Sequence, residues 1–136
     1  MIGWATIGYG AALSALLAGA LVALATRGHR TDARGHRLGA QGHRVGAGIG
    51  AAVGAAAGPI AWNAILRATH GTSFFTDAPV AVLPASWQDT GSGVFAVAAT
   101  VTVLGLGPLA ELPARRVVPL GLLAGLAAFL VDVYLY

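Results

Sequence analysis

The chain has 136 residues, 57% of them hydrophobic and only 10% charged, with a formal net charge of +3. Its mean hydropathy of +0.75 is too high for a soluble domain of this length and places it in a membrane. There is no Cys, which excludes disulfides, thiolate metal sites, iron–sulfur ligation and thiol nucleophiles together.

A bilayer core of about 30 Å needs about 20 residues of helix, and four stretches meet or approach that length. Because backbone in lipid must satisfy its own hydrogen bonds and no period-2 alternation marks strands, all four are expected to be helices. Residues 1–136 thus form a single domain, an all-α integral membrane protein of the cell membrane with four transmembrane helices in a small bundle. Helix 1 is expected over residues 3–26. It has no basic residues ahead of its apolar run, unlike a cleaved signal segment. Ala11, Ala15, Gly19 and Ala23 form a row of small residues along it.

Residues 27–44 are expected to be a loop built from one seven-residue phrase written three times, RGHRTDA, RGHRLGA and QGHRVGA. It brings Arg27, Arg30, Arg34, Arg37 and Arg44 to one side of the membrane, and Arg115 and Arg116 fall on the same side between helices 3 and 4. Positive charge favours the cytoplasmic side, so both termini are expected outside. All ten aromatics, from Trp4 to Tyr136, fall in the outward half of this topology. The arginines point to anchoring on anionic lipid, worth about 1 kcal/mol each near the surface, or on a partner. His29, His36 and His43 recur every seven residues, roughly 10 Å apart on a helix, too far to share one metal ion. The repeat has no aromatic to stack on bases, so nucleic acid is not expected.

Helix 2, over 45–67, carries the most pronounced pattern: Gly42, Gly46, Gly50, Gly54 and Gly58 recur every fourth residue, a glycine zipper beside a bulky ridge of Val45, Ile49 and Val53. In lipid, where apolar burial drives nothing, close backbone approach over small residues holds helices together. The matching row on helix 1 makes a tight antiparallel pair of helices 1 and 2 the natural expectation. The segment 70–93 is long for a connection and contains Pro79, Pro84 and an apolar centre, so a structured outer loop is expected. Asp89-Thr90-Gly91 resembles half of an aspartic protease signature, but one copy cannot form a dyad. Ser86 and Asp89 have the spacing of a helix capping box.

Helices 3 and 4 are expected over 94–112 and 117–136. Helix 4 adds Gly121 and Gly125 to the small-residue faces and places Asp132 on the same face. An intramembrane carboxylate needs a partner, and Arg67, with His70 second, is the expected one. Asn63, Arg67, His70, Asp77, Gln88, Asp89 and Asp132 are the candidates for a polar cluster at the outer mouth. No catalytic set, metal site or cofactor is implied by this composition, and an enzyme is the least supported class. Two functions remain. The first is a membrane subunit or scaffold that packs through Gly/Ala faces into a homo-oligomer or larger membrane complex. The second is a small transporter, channel or ligand-binding protein that uses the outer mouth.

Overall fold

A computed structural model describes residues 2–26, 37–76 and 84–135, with side chains assigned from Gly42 onward in the second segment. Four long helices make up nearly all of it: α1 (Trp4–Ala25), α2 (Arg37–Ala68), α3 (Trp87–Leu106) and α4 (Ala114–Leu135). There is no strand among the described residues, and all four helices are long and apolar enough to cross a membrane. Each packs most closely on its chain neighbours, α4 closes back on α1, and α2 and α4 touch only across the diagonal. The result is an up-down-up-down square bundle. Its arginine end carries the end of α1, the start of α2 and the 107–113 connection, and its termini end carries the start of α1, the end of α2, the start of α3 and the end of α4.

Several helix limits differ from the sequence expectation, each for a local reason. α2 begins at Arg37, so it takes in the end of the second heptad and all of the third, where the sequence leads one to expect a loop through residue 44. Its Leu, Ala, Gln and Arg residues favour helix, while Gly39 and Gly42 cost only about 1 kcal/mol each. Residues 27–36, with Arg27, Arg30 and Arg34, lie outside the described residues. α3 begins at Trp87, seven residues early, because the capping box at its start is complete. The Ser86 hydroxyl accepts from the Asp89 N–H at 3.2 Å, and the Asp89 carboxylate accepts from the Ser86 N–H at 2.7 Å. Such a cap contributes about 1 kcal/mol. α3 ends at Leu106, before Gly107 and Pro108, and α4 starts directly after Pro113. Of the 70–93 segment, the portion ahead of α3 includes a short 3₁₀ turn, Thr72–Phe75.

The glycine zipper faces α3, not α1. A Cβ at Gly54 would lie 2.5 Å from Thr100 Cα, one at Gly58 2.6 Å from Ala96 Cα, and one at Gly50 2.7 Å from the Leu104 side chain. These backbones can approach only because the side chains are missing. The α1–α2 contact is looser and uses another row: a Cβ at Gly19 would meet the Gly48 carbonyl at 3.3 Å and Ala52 Cβ at 3.4 Å, and a Cβ at Gly48 would meet Ala23 Cβ at 3.6 Å. Ala11 is buried and Ala15 half-buried on α1. Gly42 has open space around it and takes no part. Gly121 and Gly125 pack on Val101 and Val97 of α3, closely enough that a Cβ at Gly125 would stand 2.8 Å from the Gly93 carbonyl. The Val45, Ile49 and Val53 ridge is exposed, as lipid-facing residues are.

The buried polar residues gather in one half of the bundle, where they share the interior with buried apolar residues such as Ile7, Leu66, Ala96 and Val131. From the arginine end to the middle, the buried cluster is Ala18, Val22, Ala47, Ala51, Ala55, Leu104, Leu109, Val117, Ala124 and Ala127. The buried polar residues Ser14, Asn63, Ser86, Gln88, Asp89, Ser92, Thr100 and Asp132 lie from the middle to the termini end.

Candidate functional site

The buried polar group is built mainly by α3. With the helix starting at Trp87, Gln88, Ser92, Ala96, Thr100 and Leu104 form one row at a spacing of four, and all are buried. Its lower members fill the space left by the α2 glycines. Its upper members turn a polar edge toward α4, where Asp132 stands one antiparallel register step above the Gly93–Gly125 crossing.

Gln88 Nε2 donates to Asp132 Oδ2 at 3.2 Å and to Ser92 Oγ at 3.3 Å. The Ser92 hydroxyl also borders the Asp132 carboxyl. Asp132 is 1% exposed, and its other oxygen, Oδ1, has no hydrogen-bond partner among the described residues. An unpaired charge at this depth costs about 2.5 kcal/mol or more at a helix centre and less toward the interface. The expected pairing with Arg67 does not form. Arg67 donates to the Ile2 carbonyl and lays its guanidinium 4.6 Å from the centre of the Trp4 ring. It fixes the start of the chain to the end of α2, since a planar cation over an aromatic face is attracted to the ring quadrupole.

The other members of the expected cluster have separate tasks. The Asn63 amide donates to the Pro59 carbonyl of its own helix at 2.9 Å, and Asp89 is engaged in the α3 cap. His70 is exposed and has a positive φ of 54°. The Gly71 N–H reaches the Leu66 carbonyl at 2.9 Å and the His70 N–H reaches the Arg67 carbonyl at 3.3 Å, the double bond pattern of a Schellman stop. His70 therefore ends α2 in a conformation that glycine normally takes, and it does not approach Asp132. Asp77 lies outside the described residues. At the arginine end, Arg115 and Arg116 are exposed and Arg44 is half-buried, while nothing is described of the Arg37 side chain. No group of three or more His, Asp or Glu gathers for a metal ion among the described residues.

Two features at the termini end go beyond the sequence expectation, which names neither Ser92 nor which of the outward aromatics meet. Ser92 is one: its signal was the four-residue step from Gln88, visible only once α3 starts at its capping box. The second is an aromatic cluster in which Trp62 meets Phe74 edge-on at 5.9 Å and Phe95 at 5.3 Å. A Cβ at Gly91 would collide with the Trp62 indole, so the glycine after the cap makes room for the ring. No known protein family, curated protein or solved structure matches this chain.

Proposed function

We propose that this is a small multi-pass membrane protein of the transporter or ligand-binding class, with its binding site in the outer half of the bundle. The observation that carries this reading is the placement of the buried polar groups, which among the described residues all lie from the termini end to the middle, with an unpartnered carboxyl oxygen among them, above an apolar cluster. Buried polar groups with unmet hydrogen-bonding capacity are costly, and intramembrane ionisable residues mark ligand and ion sites. That cluster of Ala, Val and Leu argues for a binding site open to one face and against a continuous pore. The arginine excess supports a cytoplasmic arginine end and, with it, a site at the outer face of the cell membrane.

A second reading, a non-catalytic subunit that docks into an oligomer or larger membrane complex, keeps one support. The zipper and the helix 4 glycines are used inside the bundle, so they supply no surplus face. Ala57, Ala61, Ala64 and Ala68, however, are all exposed on α2 at steps of four and three that keep to one helix face. That row offers another helix a close approach.

Single cysteines in this naturally Cys-free chain test the first reading. A small membrane-impermeant cationic thiol reagent added to intact cells should modify Ser73→Cys quickly, Ser92→Cys slowly, and Ala110→Cys only after permeabilisation. Reversed labelling of positions 73 and 110 would invert the orientation. An inert Ser92→Cys beside a reactive Ser73→Cys would remove the outer site, and co-purification with stoichiometric partners in mild detergent would then favour the subunit.

A further inference from the structure

The ligand of the outer site follows from its charge and its size, provided that the binding reading above holds. Asp132 brings a carboxyl group to a buried position where no cationic side chain pairs with it among the described residues, since Arg67 is held by Ile2 and Trp4. What touches the carboxyl is neutral, the Gln88 amide and the Ser92 hydroxyl, while the nearby Asp89 carboxylate, committed to the α3 cap, adds negative charge to the region. We propose that Asp132, Ser92 and Gln88 form a site for a compact monovalent cation, an alkali-metal ion or a primary ammonium group, with the free Oδ1 of Asp132 as its charged ligand.

Three observations fix that chemistry. First, Oδ1 is buried and unpartnered in a residue that is 1% exposed, so the site lacks a positive or hydrogen-bond-donating partner at one defined atom. Second, one carboxylate with neutral oxygen donors balances a single positive charge, whereas divalent ions are usually held by several carboxylates or retained water. The Ser92 hydroxyl offers lone pairs directly. The Gln88 amide offers its carbonyl after a half-turn that exchanges two nearly isosteric ends. Third, the floor is shallow: Gly93 and Gly125 bring the α3 and α4 backbones together one turn below, where a Cβ at Gly93 would meet Phe129 Cβ at 3.1 Å and the Gly125 carbonyl at 3.2 Å. That close crossing bounds the depth a ligand could reach beneath the carboxyl.

The test uses the full chain in mild detergent, melted at constant ionic strength. N-methyl-D-glucamine chloride is the reference salt, replaced in turn by lithium, sodium, potassium or methylammonium chloride. A ligand that binds only the folded state raises the melting temperature and saturates. At least one of these cations should raise it by several degrees, and comparing the alkali-metal arms with the methylammonium arm separates the two sources of charge. Asp132→Asn should abolish the cation-specific rise, with a melting temperature in the reference salt no lower than that of the parent. Ser92→Ala should shift the half-saturating concentration several-fold. Equal melting in every salt, or a rise that survives in Asp132→Asn, would overturn the proposal. Should Asp132→Asn fail to fold, an unchanged half-saturation in Ser92→Ala overturns it instead. Salt-independent melting together with outside labelling of Ser92→Cys would remove the cation alone. Salt-independent melting with an inert Ser92→Cys would remove the outer site as well.

Discussion

Replacing Gly54 by Ala adds one methyl group where the α2 and α3 backbones are closest. The new Cβ would stand 2.5 Å from Thr100 Cα and 2.6 Å from its amide nitrogen. Ordinary contacts of this kind begin at 3.4 Å, so the helices must part by almost 1 Å. A gap of that size forfeits a quarter to a half of each contact's dispersion energy, and Gly50 and Gly58 share the same interface. Overpacking of this kind costs about 1–3 kcal/mol, offset by about 1 kcal/mol from the better helix propensity of Ala. Gly42→Ala isolates that offset, because a Cβ there meets nothing within 4 Å. Stability measured by detergent-induced unfolding in mixed micelles should therefore place Gly54→Ala about 1–3 kcal/mol below Gly42→Ala. Gly50→Ala should fall between them, since its new Cβ meets the flexible end of Leu104 and not backbone. Equal stability of Gly54→Ala and Gly42→Ala would refute the assignment of the zipper to the α2–α3 interface.

Two further outcomes follow from side chains that the fold assigns to separate tasks. His70→Gly should raise stability by about 1 kcal/mol, because a left-handed backbone costs a residue with a Cβ about 1–2 kcal/mol and the exposed imidazole loses little; a lower melting temperature would show that the ring has a use beyond ending α2. Arg67→Gln and Asp132→Asn should be additive within about 0.5 kcal/mol in the double mutant, since Arg67 is held by Ile2 and Trp4 and Asp132 by Gln88; a coupling well above that value would restore the direct pair.

Sequence alone determined the features that depend on composition and local spacing. Four apolar stretches become helices because lipid leaves the backbone no other partner. The Ser86–Asp89 spacing specifies its own cap, and the gathering of Arg44, Arg115 and Arg116 at one end follows from helix count. The limits of α2 and α3 were less legible, because Gly39 and Gly91 each cost a helix about 1 kcal/mol, which packing and capping outweigh. Tertiary structure decided who meets whom. In a soluble helix the buried face differs in polarity from the exposed one, but in a membrane helix both are apolar. The zipper therefore announces that some backbone comes close without saying whether it belongs to α1, α3 or another subunit. The answer lies in Thr100 and Ala96, which present small side chains at a matching step of four from α3. Asp132 likewise announces a need for a partner, and only the antiparallel register of α3 and α4 delivers Gln88 to it while the end of α2 holds Arg67 against Trp4.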